Sequence, residues 1–147
     1  MSTILKPSGI YMFKWLPKSG IATAGTRPYK YDLPKNGIPG KWHSILNKRP
    51  IMVCGNGFHC IGLNNLIRYA AYGPRLFLVE VAGNFLSNGE KGAVEHIRFI
   101  KELEYDLVKR FNVNIIRVKN FTDLPGCTIK DLNDGYGKIG RDRLGIV

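Results

Sequence analysis

Acidic residues are scarce in this chain. Eleven Asp and Glu stand against twenty-two Lys and Arg in 147 residues, leaving a net charge of +11. Cysteine is scarce too, and odd in number: Cys54, Cys60 and Cys127. A small secreted domain stapled by disulfides carries a denser, even set, so reduced thiols and a cytoplasmic setting are expected. No apolar run approaches the roughly 20 residues that span a bilayer, so no membrane association is expected. Met1 to Pro7 has no basic region followed by an apolar core, and does not read as a secretory signal. No Gly-x-Ser-x-Gly, Walker or dinucleotide-binding glycine pattern occurs. Gly89-Glu90-Lys91-Gly92 is no phosphate loop, because the residues after Gly92 lack the lysine and hydroxyl that such a loop requires.

The residues that are present fit one α+β domain over residues 1–147. Hydrophobic residues make up 44% and charged residues 22%, an ordinary globular balance. Seventeen glycines and eight prolines predict tight turns and irregular loops rather than a helical bundle. The charge is uneven. Nine of the basic residues and only one acid, Asp32, fall in the first fifty positions, for a net of +8 there and +3 in the other 97. Such asymmetry suits a polyanionic partner: DNA, RNA or an acidic protein surface. The plainer account of the same charge is solubility.

Along the chain, Gly9 to Leu16 is rich in strand formers, bounded by Gly9 and Pro17, and reads as a strand. Residues 17–40, with four prolines and four glycines, read as a long basic loop, interrupted by an extended piece at Tyr29-Lys30-Tyr31. Pro50 to Cys54 reads as a strand, Gly55-Asn56-Gly57 as a turn, and Phe58 to Ile61 as a short extended return. Asn64 is placed to cap a short helix over 65–72, closed by Gly73-Pro74. Leu76 to Val81, almost continuously apolar, reads as a central strand. Val94, Ile97, Ile100, Leu103, Leu107, Val108 and Phe111 recur every three to four residues, which predicts one long amphipathic helix. Asn114 to Val118 reads as a strand and 119–147 as a glycine-rich tail. The expected architecture is a twisted, mainly antiparallel sheet of about five strands with one long and one short helix, the core lying at about 9–118.

Three groups of residues carry candidate chemistry. Cys54, His59 and Cys60 have thiolate and imidazole donors, but one irregular cluster falls short of the four ligands a structural zinc site needs, and no metal is expected. His43, His59 and His96 are candidate bases for Cys54 or Cys60 as a nucleophile. Trp15, Tyr29, Tyr31 and Trp42 interleave with Lys14, Lys18, Arg27, Lys30 and Lys41. Cations that track phosphates beside rings on which bases stack are the chemistry of single-strand binding. With Lys48 and Arg49, these residues form the expected nucleic-acid-binding set, and the basic ones should share one face.

Several motifs together resemble a family of small phage and bacterial proteins of uncharacterised function. They are Tyr11 to Trp15, Leu33-Pro34, Pro39-Gly40-x-Trp42, Cys54-x-x-Gly57-Phe58-His59, Val79-Glu80-Val81-x-Gly83, and Lys91 with the basic amphipathic segment ending at Leu103. The resemblance covers roughly 11–103 and implies a phage or prophage setting in a host cytoplasm. Gly9-Ile10-Tyr11 resembles the opening of a GIY-YIG nuclease, yet Gly20 to Gly25 lacks the second tyrosine of that signature.

A looser resemblance runs to ADP-ribosyltransferases. It rests on Gly57-Phe58-His59-Cys60, the segment through Tyr69-Ala70-Ala71, and Leu76 to Val81. It implies NAD as cofactor, gripped by Tyr11, His59 and Tyr69, with His59 and Glu80 as catalytic groups and Glu95 as an alternative carboxylate. Where that family places Ser or Thr after the short strand, this chain has Cys60 and Ile61. The leading expectation is therefore a nucleic-acid-binding protein that needs no cofactor. An NAD-using transferase is the alternative, and a phage inhibitor docking on an acidic host defence protein is the third.

Overall fold

The computed structural model describes residues 8–23, 27–62, 65–108, 113–118 and 142–146; at 67, 105–108, 113–118 and 142–146 it describes the backbone alone. Its frame is a seven-stranded, mainly antiparallel sheet, with a separate two-stranded hairpin. The strands are β1 (Tyr11–Leu16), β2 (Ile21–Ala22), β3 (Tyr29–Lys30), β4 (His43–Ser44), β5 (Phe58–Cys60), β6 (Arg75–Ser87), β7 (Gly92–Val108), β8 (Val113–Val118) and β9 (Asp142–Ile146). No helix among the described residues is long and apolar enough to cross a membrane.

β6 and β7 form a long hairpin, turned at 88–91, where the Asn88 side chain accepts the backbone N–H groups of Glu90 and Lys91. β6 is central, as its apolar run predicts. Its other edge takes β1, with Tyr11 opposite Glu80 and Leu16 opposite Arg75. The far edge of β7 takes β4 and β5, pairing His43 with Ile97 and Phe58 with Val94. Immediately after β5, Ile61 exchanges two backbone hydrogen bonds of 2.8 Å with Phe13 of β1. The path β1–β6–β7–β5 therefore returns to β1 and closes a small ring. Closure leaves β1 without a free edge beside Phe13. β8 continues from the end of β7, and β9 pairs with β8 in parallel.

Alternation along β1 and β6 splits the core between two faces. One cluster holds Phe13, Trp15, Leu76, Leu78 and Leu103, covered by Ile61, Leu66 and the 3₁₀ helix Ile67–Tyr72. The other holds Leu16, Phe77, Val79, Val81, Val94, Ile97 and Phe99 with Phe58 and Cys60, so all four ring strands contribute. Tyr31 plugs this second cluster, 4.7 Å from the Phe99 ring.

The expected helices are corrections. The segment read as a long helix is strand β7. Two register shifts against β6, at Leu78–Val79 and at Ala82–Phe85, break strict alternation, so inward apolar residues recur at three-residue intervals (Val94, Ile97) as well as two (Ile97, Phe99). Bulges thus imitate a helical period, while pairing on both edges with β-branched and aromatic residues decides for strand. The short helix is a single 3₁₀ segment beginning after Leu66; Asn64 lies outside the described residues. Pro50 to Cys54 is a turn rather than a strand: Met52 bridges Asn56, and Cys54 adopts φ 60°. The strand count exceeds five because β7 stands where a helix is expected and because β4 and β9 fall in segments too short or too glycine-rich to signal from sequence. Most of the tail lies outside the described residues.

Candidate functional site

An open cleft of about 870 Å³ lies where β1 meets β5, walled by residues of 17–23 and 27–31 on one side and the 3₁₀ helix on the other. Its cations are Lys14, Arg27 and Lys91, and its rings include Tyr29, Tyr31, Tyr69 and Tyr72. No carboxylate lines it among the described residues.

The floor is built by the turn 52–60. Cys54 sits in the left-handed region at φ 60°, and its backbone N–H donates to His59 Nε2 at 2.7 Å. Gly57, at φ 134°, is forced there: a Cβ would meet Ala93, Ile51 and the Val94 carbonyl at 3.1–3.2 Å. Buried Asn56 completes the turn, its amide bonding Asn47 Oδ1 and the carbonyls of Arg49 and Pro50. The Cys54-x-x-Gly57-Phe58-His59 motif is thus a folding unit that aims its surroundings into the cleft.

Lys14 projects from β1 onto this floor. Its Nζ donates to the His59 carbonyl and lies 5.5 Å from the centroid of the Tyr31 ring. Burial lowers its pKa to about 8, against a small opposing pull from Cys60. The Cys60 thiol is itself pushed up to about 12 by burial, less the influence of Lys14. It stays protonated and contacts the Met12 sulfur at 3.3 Å. That makes it a poor nucleophile. His59 is held below its ordinary pKa by burial, then by Lys14 and Lys91, with a hydrogen bond to the Gly57 backbone pulling the other way. It is therefore neutral at pH 7, and Nε2 is already occupied.

At the mouth, Lys91 is held cationic chiefly by a hydrogen bond with the exposed Cys54, against some desolvation. Tyr69 donates its hydroxyl to Glu90 at 3.1 Å and stacks on Tyr72 with centroids 6.2 Å apart. Glu90 also pairs with Arg68. On the opposite wall, the Tyr29 hydroxyl and His43 Nδ1 are 3.1 Å apart, and His43 Nε2 accepts the Asp32 N–H at 2.9 Å. Burial lowers the His43 pKa, with Asp32 opposing, and raises those of Tyr29 and Tyr31. The walls are neutral rings, so the charge of the cleft is positive.

Of the residues expected to bind nucleic acid, Lys14, Trp15 and Arg27 line the cleft. Trp15 is mostly core: it is buried, and its Nε1 donates to the Leu66 carbonyl at 3.0 Å. Lys18, Lys30, Lys41, Lys48 and Arg49 are exposed and lie outside the lining. Trp42 is half-buried away from it, beneath the Arg98 guanidinium at 5.1 Å. Of the groups assigned to NAD, His59 and Tyr69 line the cleft, and Tyr11 does not. Glu80 is wholly buried on β6, where it accepts the Ser8 N–H at 2.6 Å and pairs with Arg98. Glu95 accepts the Asn84 N–H at 3.0 Å. His96 bonds Ser44. Lys91 enters the sequence reading only within the family motif and Tyr72 only as a helix end, because nothing local marks a turn lysine and a 3₁₀ tyrosine as neighbours; only ring closure brings them to Lys14.

The chain matches no protein-family model, no curated protein and no solved structure.

Proposed function

We propose that this chain binds single-stranded nucleic acid and seats one nucleotide of the strand in the cleft. The observation that carries the reading is the lining itself: three cations, four tyrosines and no carboxylate among the described residues. A base stacks on a neutral ring while Arg27 and Lys91 neutralise the flanking phosphates. The cleft volume falls within the ~300–1,000 Å³ of ordinary ligand pockets, enough for a nucleotide unit. Exposed Lys18, Lys30, Lys41, Lys48 and Arg49 extend the positive field that draws the strand in.

An NAD-using transferase draws less support from the same cleft. Glu80 is consumed by Ser8 and Arg98, and His59 has its acceptor nitrogen filled by Cys54.

Anisotropy of a labelled single-stranded oligonucleotide at two salt concentrations tests the proposal. Tight binding that weakens steeply with salt is expected. Replacing Arg27 and Lys91 together by Glu should weaken it by roughly tenfold or more and flatten the salt slope by about 1–2. Absence of binding at low salt, or an unchanged double variant, overturns it. Excess NAD serves as competitor: displacement of the strand would mark the cleft as a site for the free dinucleotide as well.

A further inference from the structure

Lys14 differs from every other cation of the cleft. Arg27 stands at the mouth and cannot act as a nucleophile. Lys91 is held protonated beside Cys54. Lys14 lies on the floor, between the Tyr31 ring and the His59 carbonyl, and no carboxylate pairs with it among the described residues. Its one hydrogen bond among the described residues runs to a neutral carbonyl oxygen, which accepts an N–H from either form of the group, more strongly from the ammonium. The titratable groups that face it are Tyr31, His59 and Cys60. None of them is an anion at neutral pH, so among the described residues only the Tyr31 ring and a neutral carbonyl favour the charged form, and burial outweighs them.

We propose that the Lys14 amine is a nucleophile that captures an anionic aldehyde in this cleft as a Schiff base. The proposal rests on the reading of the cleft as a phosphate-bearing ligand's site, and names the chemistry that its floor adds. Neutral Lys14 Nζ attacks the aldehyde carbon, the carbonyl π pair moves to oxygen, and a proton passes from nitrogen to that oxygen to give the carbinolamine. The nitrogen lone pair then forms the C=N bond as the hydroxyl leaves as water with a proton taken from solvent at the open mouth, giving the protonated imine. No electrons are gained or lost overall, and the only by-product is water. Arg27 and Lys91 hold the ligand's phosphate, so the aldehyde is delivered to the floor rather than to an exposed lysine.

The lowered pKa makes the step accessible. At pH 7 a lysine of pKa about 8 is neutral roughly 300 times more often than one at the ordinary value of 10.5. The same chemistry reaches this chain from two sources: a free sugar phosphate in its aldehyde form, or the ring-opened sugar of an abasic nucleotide within a strand.

The test uses the full chain with pyridoxal 5′-phosphate, an aromatic anionic aldehyde, at less than one equivalent. Borohydride reduces any imine to a stable secondary amine, and peptide mass mapping locates it. Lys14 should be the dominant site, with labelling suppressed by inorganic phosphate. Lys14→Arg, checked for folding by circular dichroism, should lose the dominant label. Label spread over Lys18, Lys30, Lys41 and Lys48 with Lys14 spared overturns the proposal, as does an unchanged total in Lys14→Arg. Two further arms, glyceraldehyde 3-phosphate and an abasic-site oligonucleotide, separate the sources by which one is trapped at Lys14. Binding of undamaged oligonucleotide is read in parallel. Its absence alongside trapping of the small aldehyde removes the nucleic-acid reading and leaves Lys14 standing; binding without any trapping does the reverse.

Discussion

Of three cations that sit against aromatic rings on the same sheet, Arg98 and Lys14 are opposites. Arg98, on β7, lies over Trp42 and pairs with wholly buried Glu80, which Ser8 also bonds. Lys14, on β1, lies over Tyr31 with a single carbonyl acceptor among the described residues, facing an open cleft. A buried charge is tolerated when it is paired, and it shifts its proton equilibrium when it is not. The first arrangement fixes β1, β6 and β7 to one another. The second holds reactive potential that the fold does not discharge. Charge alone, read along the chain, could not separate the two.

Breaking the paired site should give the largest effect. Glu80→Gln keeps the shape but strands the Arg98 guanidinium, and should destabilise the fold by about 3 kcal/mol, seen as a lower urea midpoint. An unchanged midpoint would make the two cations equivalent. Next is His59→Ala, which removes the acceptor of the Cys54 N–H in a left-handed turn and should cost roughly 1–2 kcal/mol. The same residue sets an acid limb. Burial lowers the pKa of both His59 and His43, so the folded chain binds fewer protons than the unfolded one below the ordinary 6.5. Stability should be full above pH 6.5 and decline as pH falls below it, less steeply in His59→Ala.

The smallest effect sharpens the unpaired site. Between about pH 8, the folded value of Lys14, and its ordinary 10.5, the unfolded chain holds the extra proton, so stability should rise with pH there. The rise should be clearest from pH 8 to 9, before the Cys60 thiol, ordinarily 9.0 and about 12 when folded, ionises in the unfolded chain and cancels the trend. Lys14→Met should abolish that rise and leave stability at pH 7 within ~1 kcal/mol, since an apolar isostere removes a desolvated charge. Thermal melts across pH 7 to 9 would show a persisting rise if another group is responsible.

How legible all this was in the sequence depended on how local each determinant is. The apolar run Leu76–Val81 announced a central strand, and Gly9–Leu16 another, because a few residues of strand-forming chemistry suffice; that the two pair was not announced. The period of β7 misled because its register shifts are set by β6, not by its own composition. Lys14, Arg27, His59 and Tyr69 stood out as cation, imidazole and ring, and the cleft gathers them. Glu80 stood out equally as a carboxylate, but its partners Ser8 and Arg98 lie 72 and 18 residues away, and only register reveals that they consume it. The places of Lys91 and Tyr72 in the cleft were invisible for the same reason.

The ring is stitched shut beside the cleft by one pair of hydrogen bonds, Phe13 with Ile61, and both residues belong to the cleft wall. Every other junction of the barrel wall is a ladder of several rungs; this one is a button. A molecule lying across it would hold the garment closed from outside, so occupancy of the cleft should slow hydrogen exchange at the Phe13 and Ile61 amides more than anywhere else in the wall. Ligand recognition and the integrity of the wall would then be one equilibrium, read at two amides.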